Sequence, residues 1–130
     1  MTDPPDRRLT AVIVEDDDDI RALLVELFDS AGFHTIPTAN GLDGVEAVRT
    51  HEPFVTTLDV NMPGIDGLEA ARRIRSHSST YIMMISALGA ESDIALGLQA
   101  GADEYVVKPF RPREMRARIE AVRLRPVSAD

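Results

Sequence analysis

The fold is decided by the stretch TTLDVNMPG at residues 56–64. This stretch continues a predicted buried strand that begins at Phe54, and it then passes into a loop. Asp59 lies where the strand stops, and the pair Pro63-Gly64 turns the chain. In an open parallel α/β sheet, chemical groups gather at the carboxyl ends of the strands. The stretch therefore predicts such a sheet, with Asp59 at its functional edge.

Three other apolar runs, each interpreted as a strand, also end in polar or charged side chains. The residues after these runs are Glu15 with Asp16, Ser86 with Ala87, and Lys108 with Pro109 and Phe110. Because the carboxyl ends of parallel strands meet at one edge of a sheet, we expect these groups to form one site with Asp59. Lys108 is the only lysine among the 14 basic residues, so a single ammonium group would serve this site.

In this order and spacing, the four motifs resemble the signature of a response regulator receiver domain. The resemblance covers residues 9–125, nearly the whole chain. It implies that Asp59 accepts a phosphoryl group from a sensor histidine kinase. It further implies that Lys108 and Ser86 contact the phosphoryl oxygens, that Ser86 and Tyr105 form the switch, and that Pro109 follows a cis peptide bond.

The acidic residues also predict a cation site. Oxygen ligands without Cys or His suit Mg²⁺ or Mn²⁺. Two carboxylates about 5 Å apart, at an effective dielectric constant of about 20, repel by about 3 kcal/mol, and a bound cation would relieve this repulsion. The resemblance implies that Asp16 and Asp59 bind the metal directly. It also implies that the backbone carbonyl of Asn61 adds a ligand and that Glu15 acts through water.

Composition limits the class of protein. A chain of 130 residues with 44% hydrophobic residues is sufficient for one domain with one core. The formal net charge of −8 argues against nucleic-acid binding by this domain. The chain has no cysteine, which is consistent with a cytoplasmic location, and no apolar run is long enough to predict a membrane span. The locally basic residues 111–130 are interpreted as the exposed face of a last helix.

Strand patterns alternate with helix patterns five times along the chain. The predicted strands cover residues 9–14, 33–38, 54–58, 80–85 and 104–107. Such alternation predicts an α/β domain with a doubly wound parallel sheet and helices on both faces. The resemblance implies the flavodoxin-like strand order 2-1-3-4-5. We expect residues 1–8 to be a flexible lead-in, residues 9–125 to be the domain, and residues 126–130 to be a tail or the start of a linker.

Three finer expectations concern individual elements. The second strand should lie near an edge, because Pro37 cannot donate a hydrogen bond. The third and fifth strands should be buried on both faces, since their apolar residues are consecutive. Asp18 or Asp19 should cap the first helix.

Other function classes fit the residues less well. A phosphatase of the haloacid dehalogenase type also uses an aspartate at a strand end, but it needs a second aspartate where this chain has Asn61. Nucleotide binding lacks a Gly-x-Gly-x-x-Gly or Gly-Lys-Ser/Thr loop. We therefore expect a signalling switch that catalyses its own phosphorylation and slow dephosphorylation, and not a conventional enzyme.

The residues around the last strand and helix are similar to those in receivers of winged-helix transcriptional regulators. This similarity implies a DNA-binding output domain outside this sequence; the alternative is a stand-alone receiver that acts by protein–protein contact. It also implies that activation produces a homodimer through the fourth helix, fifth strand and fifth helix. The charged positions of that face are Glu104, Glu114, Arg118 and Arg125. The chain departs from the family pattern at Ile94 and Ala100, where charged residues are common.

Overall fold

The computed structural model describes residues 9–126, in which five strands alternate with five helices. In chain order they are β1 (Thr10–Val14), α1 (Asp18–Ser30), β2 (His34–Thr38), α2 (Gly41–His51), β3 (Val55–Asp59), α3 (Gly67–Arg75), β4 (Tyr81–Ser86), α4 (Glu91–Ala100), β5 (Glu104–Val107) and α5 (Pro112–Arg123). All strand pairs are parallel, and the sheet order is β2-β1-β3-β4-β5. The predicted fold and strand order are confirmed. The predictions for residues 1–8 and 127–130 lie outside the described residues.

Two hydrophobic clusters hold the layers together, one on each face of the sheet. Helices α2, α3 and α4 cover one face, where Val48 and Ile74 are fully buried against Val12 and Leu58. Helices α1 and α5 cover the other face. The members of that second cluster include Ala11, Ile13, Leu24, Phe28, Val55, Met83, Val106, Met115 and Ile119. Successive residues of a strand point to opposite faces, so each central strand contributes to both clusters.

Burial differs between central and edge strands. Every residue of β1 and β3 is buried, as predicted for β3. The edge position of β2, predicted from Pro37, is also confirmed. The prediction that β5 is buried on both faces is wrong, because β5 forms the opposite edge and Val107 is 40% exposed.

Side-chain caps fix the starts of three helices. Asp17, and not Asp18 or Asp19, caps α1 by accepting a hydrogen bond of 2.9 Å from the Ile20 N–H. The reason is that Asp17 keeps an extended backbone while the next residue is already helical. Asn40 and Asp66 cap α2 and α3 in the same way. Within residues 9–126, none of these helices combines the length and apolar character that crossing a membrane requires.

Gly67 allows α3 to begin directly against the end of β3. A Cβ atom at this position would lie 2.3 Å from the Asp59 carbonyl oxygen, which no side chain could tolerate. Gly64 supplies the turn before it, with a φ of +82°. The helix start is thereby held close to the loop that leaves Asp59.

Candidate functional site

Three charged side chains converge because each of them points to the same face of the sheet. Each lies an even number of residues after an apolar residue of its own strand. Glu15 is two residues after Ile13, Asp59 is four after Val55, and Lys108 is two after Val106. Those three apolar residues all belong to the cluster beneath α1 and α5. The alternation of side chains therefore directs the charged groups to one side of the same sheet edge. The structure brings these three side chains together, and Asp59 is itself the last residue of its strand.

The Lys108 ammonium bridges two carboxylates. Its Nζ lies 3.0 Å from Glu15 Oε1 and 3.3 Å from Asp59 Oδ2. Burial lowers the pKa of Lys108, but the hydrogen bond with Glu15 and the charges of both acids outweigh this effect and raise the pKa above its usual value. Lys108 therefore remains a cation. The Lys108–Pro109 peptide bond is cis, as the resemblance implies.

Asp59 is buried and held on both oxygens. Only 5% of its surface is exposed. The Asn61 N–H donates to Oδ1 at 3.2 Å, while Lys108 contacts Oδ2. These two contacts fix the orientation of the carboxylate.

Glu15 is the most deeply buried acid of the site, with 1% of its surface exposed. Burial, followed by the neighbouring Asp59, raises the pKa of Glu15 from 4.5 to about 7, against the opposing effect of Lys108. The Asp17 N–H donates to Glu15 Oε2 at 3.2 Å. Glu15 thus takes up and releases a proton near neutral pH.

Carboxylate oxygens of Glu15, Asp16 and Asp59 lie within 4.8 Å of one another. Asp16 is exposed, whereas the other two are buried, so the group opens to solvent on one side. Three oxygen donors at this spacing suit a hard divalent cation. The acidic pocket is therefore compatible with divalent metal binding.

Arg21 organises the loop that carries these acids, and its role was not predicted. Its Nη1 donates to the Glu15 carbonyl oxygen at 2.9 Å, and its Nη2 pairs with Asp18 at 2.6 Å. The loop between β1 and α1 is thereby tied to the first turn of the helix. The only signal in the sequence is the i,i+3 spacing of Asp18 and Arg21.

The two predicted switch residues, Ser86 and Tyr105, both form a hydrogen bond with the backbone of Leu88. The sequence did not predict this shared contact. Ser86 is fully buried, and its Oγ accepts a hydrogen bond from the Leu88 N–H at 3.0 Å. The Tyr105 hydroxyl donates to the Leu88 carbonyl oxygen at 2.6 Å. The Tyr105 ring packs so closely on α4 that a Cβ on Gly97 would lie 2.8 Å from Tyr105 Cδ2. The loop after β4 is therefore bonded to both residues.

The four charged positions predicted for a dimer face lie away from this site. Three of them are joined within the chain. Glu104 pairs with Arg118 and also accepts a hydrogen bond from the Tyr81 hydroxyl, whose ring lies under the Arg125 guanidinium. Within residues 9–126, Glu114 makes no ion pair or side-chain hydrogen bond.

Comparison with known proteins agrees with this geometry. The family described as the response regulator receiver domain matches residues 11–120. Transcriptional regulatory protein CseB of Streptomyces avermitilis is 44% identical over 111 residues, which cover 85% of this chain and 47% of that protein. DNA-binding response regulator MtrA of Mycolicibacterium smegmatis is 37% identical over 114 residues, which cover 88% of this chain and 50% of that protein. The chain thus spans about half the length of these curated relatives.

Solved structures show the same fold. One is a CheX-CheY-BeF3-Mg²⁺ complex from Borrelia burgdorferi, with a TM-score of 0.82, 30% identity and 90% coverage of both chains. Another is the BeF3-activated DrrB receiver domain, with a TM-score of 0.82, 28% identity and coverage of 90% of this chain and 98% of that chain. Fold, site and relatives agree, and the chain belongs to the response regulator receiver domain family.

Proposed function

We propose that this receiver domain is switched by phosphorylation of Asp59, with a sensor histidine kinase as donor. The observation that carries the proposal is the fixed, buried Asp59 carboxylate beside a lysine and two further acids. An Asp59 oxygen would form a bond to phosphorus as the bond from phosphorus to the donor nitrogen breaks, which leaves an acyl phosphate. Water would later attack the same phosphorus and release inorganic phosphate slowly. The domain would supply the catalytic groups for both steps, without being a conventional enzyme.

Lys108 and Ser86 are the proposed contacts for the phosphoryl oxygens. Lys108 already touches Asp59 at 3.3 Å, and a compact ammonium can balance the charge that the phosphoryl group adds. The Ser86 hydroxyl would turn from the Leu88 N–H toward the phosphoryl group. Because Tyr105 holds the carbonyl of the same residue, rearrangement of this loop would change the environment of both side chains.

We propose that Asp16 and Asp59 hold Mg²⁺ or Mn²⁺, together with the Asn61 carbonyl. Glu15 would act through water. When bound, the metal would neutralise the charge that accumulates among the acids and the phosphoryl oxygens. The similar receiver complex from Borrelia burgdorferi contains Mg²⁺ together with BeF3, which supports the choice of cation for this chain.

We propose that the domain acts in the cytoplasm as the receiver part of a longer transcriptional regulator, since it covers about half of CseB and MtrA. It would not bind nucleic acid itself, because it carries a net charge of −8. Activation would produce a symmetric dimer through α4, β5 and α5. Leu98 is 46% exposed on α4 and offers an apolar contact one turn after Ile94.

Phosphorylation with acetyl phosphate and Mg²⁺ tests the acceptor. We expect intact-mass measurement to show one added phosphoryl group on the wild type and none on Asp59→Asn. Asp66→Asn is the matched control, because Asn also caps a helix well and this residue caps α3 in the same loop region. Equal labelling of the Asp59→Asn variant would refute the assignment, and rapid multiple turnover of the donor would indicate a phosphatase.

A further inference from the structure

The charged part of the proposed dimer face is organised around Tyr81, at the start of β4. The Glu104 carboxylate has both oxygens engaged within its own chain. Oε1 accepts from the Tyr81 hydroxyl at 2.9 Å, and Oε2 pairs with Arg118 Nη1. The Glu104 side chain is only 16% exposed, against 41% for Arg118. Glu104 is therefore the sheltered member of the pair.

Tyr81 is itself held in place. The Arg125 guanidinium carbon lies 4.2 Å from the centre of the Tyr81 ring, a cation–π contact that ties the residues just after α5 to β4. Burial, together with the Glu104 carboxylate, raises the pKa of Tyr81 to about 12. The phenol therefore keeps its proton and donates to Glu104 throughout the physiological pH range.

Glu104 lies in a recess of the surface, and not on a protruding part of it. A recess of about 370 Å³ lies between α5 and the starts of β4 and β5, and Tyr81 and Glu104 form part of its wall together with Arg118 and Arg125. An arginine of a second copy would have to enter this recess to reach Glu104. It would also have to displace hydrogen bonds to a sheltered carboxylate, and an exposed ion pair returns little in exchange.

We propose that Tyr81 commits Glu104 and Arg118 to each other within one chain, so that this ion pair does not cross the dimer interface. The inference rests on the dimer proposed above and specifies what holds it together. The pair holds β5 and α5 of its own chain together, while the apolar side chains of α4, Ile94 and Leu98, contact the second copy. Tyr81 is in this sense a specificity-determining residue, because the Glu104 and Arg118 charges that it helps to pair do not then bind the second chain.

A mixing experiment tests where the pair lies. Glu104→Arg and Arg118→Glu chains are purified separately, mixed, activated with beryllofluoride and Mg²⁺, and analysed by native mass spectrometry with one chain isotopically labelled. The chains are mixed at about 1 M salt, where a Debye length of about 3 Å screens the general attraction between the two oppositely charged faces. If the pair stays within a chain, mixed dimers then form about one-half of all dimers, the statistical share for a symmetric pair. If the pair crosses the interface, only mixed dimers match opposite charges. An excess of mixed over like dimers of about tenfold would then overturn the proposal.

A stability cycle on the unactivated monomer keeps the inference testable if the charge-swapped chains fail to fold or dimerise. The variants are Tyr81→Phe, Glu104→Gln and their combination, with the only other tyrosine, in Tyr105→Phe, as the matched control. We expect the Tyr81 and Glu104 changes to be coupled by about threefold or more in the unfolding equilibrium constant, and the Tyr105 and Glu104 changes to be additive. Additive effects at Tyr81 would overturn the proposal.

These readouts are separate from the proposed function. Tyr81→Phe should leave labelling of Asp59 by acetyl phosphate unchanged, since Tyr81 lies outside that site. If the wild type is labelled but stays monomeric when activated, the dimer proposal fails, and the stability cycle alone decides whether Tyr81 holds Glu104. Loss of labelling in Tyr81→Phe would contradict a role confined to this face.

Discussion

Glu15 is the residue at which burial and charge conflict most directly. It is fully enclosed, yet it sits with Asp59 and Lys108 in a group that would bind a cation. An enclosed carboxyl group favours its neutral form, whereas a neighbouring ammonium favours its charged form. Burial outweighs the ammonium, and the pKa of Glu15 rises to about 7. The pKa of the most deeply buried acid of the site therefore lies near physiological pH.

This raised pKa predicts a pH-dependent stability in metal-free buffer. Because the folded-state value of about 7 exceeds the ordinary 4.5, the native state retains a proton that the unfolded state has lost between these pH values. The stabilisation is complete below about pH 4.5 and is lost as the pH rises through 7. At 1.36 kcal/mol per pH unit, the effect is about 3 kcal/mol at most.

Glu15→Gln, which mimics the neutral carboxyl group, supplies the comparison. We expect urea unfolding in EDTA to show that the wild type loses free energy of unfolding relative to Glu15→Gln between pH 5 and 8. Mg²⁺ should reduce this loss in the wild type, because a cation favours the charged carboxylate. A constant difference between the two proteins across this range would show that Glu15 does not titrate as described.

Asp16 provides a second residue-scale prediction, on the cation. Mg²⁺ at about a hundred times its dissociation constant should add about 2.7 kcal/mol to the free energy of unfolding and raise Tm by several degrees. Asp16→Asn should abolish most of this response, while Asp18→Asn, a neighbouring exposed acid, should keep it. Thermal unfolding with and without Mg²⁺ measures both. An unchanged response in Asp16→Asn would place the metal elsewhere.

The sequence predicted the members of this site better than their contacts. Acids and a lysine after apolar runs were enough to bring Glu15, Asp59 and Lys108 together, since strand ends share one edge. The sequence could not show that the pKa of Glu15 is raised, because that shift depends on how the whole fold buries the side chain. Tyr81 was missed for a related reason: its partners Glu104 and Arg125 are more than twenty residues away in sequence.

At the scale of elements, Arg75 joins three segments that are distant along the chain. Its guanidinium, at the end of α3, donates to the carbonyl oxygens of Ser78, Thr80 and Gly101. It also pairs with Asp103 at 3.0 Å. The end of α3, the loop before β4 and the loop before β5 are therefore fixed to one another. Helix periodicity could not indicate this role of Arg75, because helix patterns do not show carbonyl groups supplied by loops.

Replacement of Arg75 should therefore cost more than replacement of another arginine of the same helix. We expect Arg75→Met to lower the free energy of unfolding by about 2–3 kcal/mol, because several carbonyl groups lose a charged donor. Arg73→Met is the matched control: Arg73 pairs with Glu69 at 2.9 Å on an exposed surface, and its loss should cost less than about 1 kcal/mol. Equilibrium urea unfolding of both variants measures the difference, and equal losses would contradict this role for Arg75.

At the scale of the whole molecule, the two edges of the sheet are unequal. β2 contains Pro37, which cannot donate a hydrogen bond and so discourages a further strand. β5 has only four residues and lies between the exposed surfaces of α4 and α5. Alternating patterns predicted the number of strands well, and the family resemblance implied their order. The patterns overestimated the burial of β5, because consecutive apolar residues also occur in a short strand at the edge of a sheet.

The proposed dimer predicts that the flank of α4 that carries Leu98 contributes to dimerisation, whereas the flank that carries Leu96 does not. Leu96 and Leu98 are similarly exposed, at 47% and 46%. At 3.6 residues per turn they point about 200° apart, so that only Leu98 shares a flank with Ile94. Leu98→Lys should then weaken the beryllofluoride-activated dimer by about tenfold or more, since the apolar contact is lost and two lysines face each other across the two-fold axis.

Leu96→Lys makes the same chemical change on the opposite flank and should leave dimerisation within about twofold of the wild type. Analytical ultracentrifugation of both variants, with and without beryllofluoride, measures the dissociation constants, and labelling of Asp59 confirms that each variant can still be activated. Equal weakening by the two variants would point to a general effect of added charge on α4. An activated wild type that stays monomeric would exclude the dimer itself, and a stand-alone receiver acting through contact with another protein would then explain the exposed side chains of α4 better.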